Sequence, residues 1–306
     1  MIGNPWLLLL VGWGTVALCF LAGWAYATRR GDASIVDALW GYGLGVLGVE
    51  YALLADGAPE HRILIGVLSG LTGLKIGTYV LVTRVLGKEE DGRYLRLREK
   101  WGANATRNFL VFFQAQGLLD LVLSTPFLLA ALDQGGRPQA CVDGAAPLAG
   151  ADPCDVSIPA LAWAGAALWL VASVGETVAD RQLTRFRRDP RNRGQVCDEG
   201  LWRVSRHPNY FFQILTWVAF ALVATAAPWG WLGFLAPLVI TLSIILVTGI
   251  PPTEAQSVRS RGEAYRRYQR TTPVLVPWRR RRRDAGPPRG LDRILYWIPP
   301  ETGRGR

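Results

Sequence analysis

The chain has 306 residues, half of them hydrophobic, with 13 Trp and a formal net charge of +10. Its apolar residues fall in runs of about 20, which excludes an ordinary soluble domain and indicates a membrane-embedded one. The positive charge does not indicate nucleic acid, because the basic residues occupy alternate loops and the tail, as residues held on the cytoplasmic face do.

The first predicted span runs near Pro5–Ala27, followed by Arg29 and Arg30. No basic segment precedes it, so it is read as a span and not as a cleaved signal. Span 2 is expected near Ser34–Leu54, and span 3 near Ile63–Leu86 with Lys75 inside it. A charged amphipathic loop, Lys88–Trp101, comes next. Span 4 is expected near Asn108–Leu132, with Asp120 and Pro126 in it.

The following loop, Asp133–Val156, is acidic and rich in Gly, Pro and Ala, with Arg137 its one Arg. Span 5 is placed near Ile158–Val178, before the strongly basic segment Asp180–Arg206. Spans 6 and 7 form a hairpin, near Pro208–Ala227 and Trp229–Ile250, turning at Pro228. The tail from Pro251 is basic throughout. Trp6, Trp24, Trp163, Trp229 and Trp231 stand near the ends of the runs, where amphipathic rings favour the bilayer interface.

Together these elements predict an all-α integral membrane bundle of about seven transmembrane helices. The loops after spans 1, 3, 5 and 7 are the basic ones, which puts the N-terminus outside and the C-terminus in the cytoplasm of a cell with an inner membrane. Residues 1–278 are read as one transmembrane domain and 279–306 as a basic cytoplasmic tail, its Arg279–Arg283 run a headgroup anchor. The partners expected are the bilayer and a small hydrophobic substrate, and no nucleic acid; the oligomeric state is not legible. No CxxC pair or Cys/His cluster appears, so no metal site is expected. Cys141 and Cys154 share the acidic loop, where a disulfide and two separate thiols are both open.

The segment Gly200–Tyr210 carries the densest chemistry. Arg203 and Arg206 are rigid multi-donor cations, His207 and Asn209 add directional hydrogen-bonding groups, and Pro208 can open a helix. A helix start has free N–H groups that favour an anion. The competing reading is that both arginines only anchor the span to headgroups. Further on, Glu254 is an acid at a membrane boundary, where an unpaired charge is costly. Tyr265 and Tyr268 share a helix face, suited to stacking on a planar ring or to an interfacial helix.

These residues carry a resemblance. Arg206-His207-Pro208-Asn209-Tyr210, a two-span hairpin, Glu254, and the ending Gly262-x-x-Tyr265-x-x-Tyr268 to Pro277-Trp278 resemble the steroid 5-alpha-reductase C-terminal domain, most closely its bacterial members. Upstream, Ser34-Ile35-Val36-Asp37 with Trp40-Gly41, Glu90-Asp91-x-Arg93-Tyr94, and Glu176 followed by Ala179-Asp180-x-Gln182-Leu183-x-x-Phe186 extend the likeness. It implies a bacterial inner-membrane enzyme with its cofactor-binding part over about 158–278. The reductases of this superfamily use NADPH to reduce a carbon–carbon double bond in a lipid. The more distant isoprenylcysteine-type methyltransferases share some of these elements and bind S-adenosylmethionine.

By the resemblance, Asp180, Arg187, Arg203, Arg206, His207, Asn209, Tyr210, Glu254, Arg261, Tyr265 and Tyr268 would contact the cofactor. A Glu of an early span and a Tyr of the next hold the substrate ketone in the steroid enzymes; Glu50 and Tyr79 correspond by position only, with Asp37 a third candidate. The chain departs where reductases often carry Gly-Glu, having Phe212-Gln213 instead. No GxGxxG follows a strand, so a Rossmann site is not expected. The eight Arg of Asp180–Arg206 favour NADPH, which has a 2′-phosphate and a pyrophosphate, over the methyl donor. A third reading is a non-catalytic membrane lipid-binding protein.

Overall fold

The computed structural model describes residues 1–135, 159–282 and 288–299. Among these the secondary structure is helical, with one isolated bridge between Ile2 and Ala55 and no strands. The chain divides into two compact units, Met1–Ala166 with Phe220–Ala236, and Ala167–Ala219 with Pro237–Arg306.

In the first unit, α1 (Pro5–Arg30) opens on Asn4, whose side chain accepts the Trp6 and Leu7 amides at 2.9 and 3.3 Å, with Pro5 as its first residue. These are the groups that an N-terminus leaves without helical partners. α2 (Ile35–Leu54) and α3 (Pro59–Val80) lie antiparallel along a seam of small residues. A Cβ on Gly73 would stand 2.4 Å from the Gly45 Cα, and one on Gly41 2.6 Å from the Gly77 amide nitrogen. Small side chains let backbones approach closely, and dispersion then holds helices that lipid gives no hydrophobic reason to associate. The last turns of α3 widen into a π-helix at Leu81–Val85.

The charged segment expected as a loop contains a helix, α4 (Gly92–Trp101), because the Asp91 side chain caps it by accepting the Arg93 amide at 2.9 Å. Span 4, expected as one helix, is broken into α5 (Ala105–Leu123) and α6 (Thr125–Leu132), bent by 41°. Pro126 is the cause: it has no N–H for the carbonyl of Val122, and its ring crowds that carbonyl. The Thr125 hydroxyl donates to the same oxygen at 2.7 Å in its place.

The second unit is built on α7 (Ala160–Arg188), α8 (Pro208–Ala224), α9 (Leu235–Leu246), α10 (Ile250–Arg261), α11 (Glu263–Thr271) and the short α12 (Asp292–Leu295), the first three shared with the first unit. Span 7, expected to end at Ile250, has a short break after α9 and resumes as α10 from Ile250, with Pro251 and Pro252 in its first turn, so the apolar segment Gly230–Arg261 runs on past the expected end.

Among the described residues four helices are long and apolar enough to cross a membrane, Pro5–Arg30, Pro59–Val85, Ala160–Arg188 and Gly230–Arg261, or five if the bent pair counts as one span. Leu18, Leu170, Val171 and Val247 expose their apolar side chains along these helices, as lipid-facing residues do. The chain is a multi-pass membrane protein. The expected seven exceeds this count because α2 carries four glycines with Asp37 and Glu50, and α8 has only 17 residues.

Candidate functional site

In the second unit the chain from Val204 to Arg206 runs beside Pro273–Trp278. The Arg206 amide donates to the Pro273 carbonyl at 2.8 Å, and the Trp278 amide to the Val204 carbonyl at 3.0 Å. The Ser205 hydroxyl donates to the Leu275 carbonyl at 2.7 Å. Tyr268 donates its hydroxyl to the carbonyls of Trp202 and Ser205, which ties α11 to the same segment. This pairing turns Arg206 and His207 inward just before Pro208 opens α8.

Arg206 is 1% exposed. Its Nε contacts Glu254 Oε1 at 2.7 Å. Nη1 donates to the carbonyls of Gln269 at 2.6 Å and Thr272 at 3.3 Å, and Nη2 to the Trp297 carbonyl at 2.5 Å. Glu254 also accepts from His207 Nε2 at 3.1 Å, Gln269 Nε2 at 2.8 Å and the Tyr265 hydroxyl at 3.4 Å. A carboxylate only accepts, so the His207 proton is on Nε2. A buried ion pair is tolerable when hydrogen bonds use its remaining donors and acceptors, and here they do. Burial holds the His207 pKa below its usual value against the opposing pull of Glu254. Burial, then the Glu254 charge, pushes the Tyr265 hydroxyl up.

Beside this closed cluster lies an open edge. The Asn209 Nδ2 donates to Asp180 Oδ1 at 3.2 Å, which joins the start of α8 to α7. Tyr210 stacks on His207, with centroids 5.3 Å apart and planes 8° from parallel, and its hydroxyl lies 3.3 Å from Thr253 Oγ1. The turn Gly200–Arg203 is fixed to α7 by the Trp202 indole N–H donating to the Ala179 carbonyl at 2.9 Å and by the Leu201 amide donating to Gln182 Oε1 at 2.9 Å. Gly200 has φ +56°, and a Cβ there would strike the Gln182 amide. Arg203 is exposed from this turn and makes no hydrogen bond or ion pair among the described residues; Arg187 is likewise exposed on α7. Arg261 donates to the Gln195 carbonyl at 2.8 Å.

Arg206, His207, Glu254, Tyr265 and Tyr268 are thus gathered inside, their polar groups bound to one another and to backbone. Asp180, Asn209 and Tyr210 are half-buried at the edge, with Arg187 and Arg203 exposed. An amide and a carboxylate suit a ribose or carboxamide, and unpaired guanidinium groups suit phosphates.

The remaining candidates lie in the first unit. Glu50 Oε1 accepts from the Thr15 hydroxyl at 3.1 Å, while its buried Oε2 has no hydrogen-bond partner among the described residues. Given the seam between α2 and α3, Glu50 is level with about Leu68, so Tyr79 lies roughly 16 Å further along α3. The two are not neighbours. Asp37 is occupied: its Oδ1 accepts the Tyr94 hydroxyl and its Oδ2 pairs with Arg93 Nη2, both at 2.6 Å. Sequence reasoning noted Asp120 in its span without a role. It is 0% exposed, and neither carboxyl oxygen has a hydrogen-bond partner among the described residues. A Cβ on Gly43 would lie 2.3 Å from its Oδ2, so glycine there makes room for the carboxyl. Sequence reasoning also missed the buried pair of His61 Nδ1 with Asp133 Oδ2 at 2.6 Å.

Among the described residues, Cys19 and Cys197 are free thiols, and no group of three or more His, Cys, Asp or Glu could hold a metal ion. Burial pushes the Cys197 thiol up to about 11, away from thiolate reactivity. Cys141 and Cys154 lie outside the described residues.

Residues 23–272 match the model of a family described as protein of unknown function (DUF1295), and the chain belongs to that family. No curated protein and no solved structure matches it.

Proposed function

We propose that this family member is an NADPH-dependent membrane reductase of a carbon–carbon double bond in a small lipid or steroid-like enone. The observation that carries the reading is the open edge of the second unit. Asn209 and Asp180 meet there at 3.2 Å, and Arg203, without an ion pair among the described residues, is held on the adjoining turn. A dinucleotide phosphate needs directional groups for its sugar and amide and cations for its phosphates. An S-adenosylmethionine site needs far fewer cations.

Asn209, Asp180 and Tyr210 would hold the sugar or carboxamide, and Arg187, Arg203 and Arg261 the phosphates. The bound cofactor supplies hydride-transfer chemistry, and the protein supplies binding and orientation. Arg206, His207, Glu254, Tyr265 and Tyr268 act one layer behind, fixing the start of α8 so that Asn209 is presented at the edge. Glu50, whose Oε2 has no hydrogen-bond partner among the described residues, is the acid we propose for polarising the substrate carbonyl. Tyr79, about 16 Å along α3, does not act as its pair.

We further propose that α2 and α8 also cross the bilayer, giving seven spans in a bacterial inner membrane, N-terminus outside and C-terminus in the cytoplasm. The alternation of basic and acidic loops supports this. Reporters fused after Trp278 and within residues 133–156 would then read cytoplasmic and periplasmic; the same side for both would refute it.

The cofactor is tested by thermal unfolding of the purified full chain in detergent with NADPH, NADH or S-adenosylmethionine. A ligand of the native state alone stabilises it by about 2.7 kcal/mol at a hundred times its Kd. A rise with NADPH supports the reductase reading. A rise with S-adenosylmethionine and none with NADPH overturns it in favour of a methyltransferase, and no rise with any of the three overturns it in favour of a non-catalytic protein.

A further inference from the structure

The second unit contains a cleft of about 710 Å³ whose lining includes none of the residues assigned to the nucleotide, although Arg261 donates to the carbonyl of its lining residue Gln195. One wall is the outer face of α11, another the chain around Gln195, and the third the returning tail. The tail is held in place from within. Trp297 gives its carbonyl to buried Arg206, the Val274 amide donates to the Leu295 carbonyl at 2.7 Å, and Tyr296 donates its hydroxyl to the Arg279 carbonyl. The cleft wall is therefore fixed to the same core as the Arg206–Glu254 cluster.

Five arginines and one acid, Asp198, line this space. Three of the arginines have carboxylate partners: Arg280 pairs with Asp198 at 3.1 Å, Arg281 with Asp292 at 3.5 Å, and Arg270 with Glu263. The guanidinium groups of Arg267 on α11 and Arg282 on the tail make no hydrogen bond or ion pair among the described residues. They come from two separate segments and line one cavity, although like charges repel. Planar guanidinium forks match phosphate oxygens in pairs, and charge-assisted contacts of this kind are the strong ones. The volume exceeds that of a single phosphate and falls in the range of sites for larger small molecules.

We propose that this cleft is a binding site for a phosphate-bearing anion of diphosphate size, gripped by Arg267 and Arg282 with Arg280 and Arg281 behind them. Two sources supply that chemistry, a soluble diphosphate and the phosphodiester of an anionic lipid headgroup. The inference does not rest on the nucleotide reading.

Two arms test it on the full chain at low salt. In neutral detergent, inorganic pyrophosphate is titrated against the melting temperature. In nanodiscs, phosphatidylcholine alone is compared with phosphatidylcholine plus phosphatidylglycerol. A soluble ligand predicts a saturable rise in the first arm, and a headgroup predicts a rise in the second. Either rise should be lost in Arg267→Glu/Arg282→Glu, with apparent affinity down about tenfold or more per contact removed. It should largely persist in Arg267→Lys/Arg282→Lys, which keeps the charge and controls for folding. It should also persist in Arg187→Ala/Arg203→Ala, which removes phosphate-binding arginines of the nucleotide edge and so separates this cleft from it. No rise in either arm, a rise that survives charge reversal, or one abolished by Arg187→Ala/Arg203→Ala overturns the proposal.

Discussion

Arg206 and Glu254 are 48 residues apart in the chain and meet as an ion pair, Nε to Oε1 2.7 Å, with side-chain exposures of 0% and 1%. Removing one partner strands a buried charge, which costs about 3–5 kcal/mol. Glu254→Leu alone is expected to lower unfolding stability by that amount, and Arg206→Met/Glu254→Leu by clearly less. Denaturant titrations followed by Trp fluorescence in mixed micelles measure both. A single variant as stable as the parent would show that the pair does not hold the fold.

His207 gives this core a pH dependence of defined sign. Its folded pKa is lowered by burial, while the unfolded value is about 6.5. Below about 6.5 the unfolded chain binds a proton that the folded chain refuses, so stability is full above that pH and is lost as pH falls through the folded value. The melting temperature should drop as pH falls below about 6.5, and drop less in His207→Gln. Equal slopes for the two chains would rule His207 out as the group responsible.

The tail is expected to contribute to stability and not only to anchoring. Cutting the chain after Trp278 removes the Trp297 carbonyl from Arg206 and the Leu295 carbonyl from the Val274 amide. Leaving buried donors without partners costs about 1–3 kcal/mol each. The shortened chain should therefore melt lower at equal expression; an unchanged melting temperature would count against these contacts.

Asn209→Ala should weaken NADPH by roughly 1–3 kcal/mol, the cost of unsatisfying a buried partner in the complex. The folded state loses the half-buried contact to Asp180 and the bond from the Tyr210 amide to Asn209 Oδ1 at 3.0 Å, so its melting temperature without ligand should fall only modestly. Fluorescence titration and thermal unfolding of one sample separate the two effects. Full NADPH affinity in a well-folded variant would remove Asn209 from the site.

The α2–α3 seam predicts a contrast between two glycines. Gly73→Ala places a methyl 2.4 Å from the backbone of Gly45, whereas Gly14→Ala meets nothing within 4 Å. Overpacking of this kind costs about 1–3 kcal/mol, while Gly→Ala inside a helix is otherwise favourable by roughly 0.5–1. The first variant should melt below the parent and the second at or above it. The reverse order would place the seam elsewhere.

Much of the fold was legible because membrane helices announce themselves locally. The runs that became α1, α3 and α7 are each long enough and apolar enough to be read alone. The break at Ser124 was less legible, although Pro126 was in view, because kinking depends on whether a neighbour such as Thr125 takes over the freed carbonyl. The helix at Gly92–Trp101 was hidden by its charge, and its cap at Asp91 was the signal that identifies it.

The residues of the site were legible by type, and their roles were not. Arg203 and Arg206 are three residues apart with the same side chain, yet one is exposed and the other is 1% exposed with its donors spent on Glu254 and three carbonyls. Ser34 and Asp37 were read as one motif and Glu90 to Tyr94 as another. The fold makes them partners, Asp37 with Tyr94 and the Ser34 hydroxyl with the Asp91 amide. What the sequence determined by itself is what depends on near neighbours: hydropathy and caps. Which cation is buried, which acid is left without a partner, and that the tail returns to Arg206 were decided by the tertiary structure, because burial and hydrogen-bond partnership depend on residues dozens of positions away that only packing brings within 3 Å.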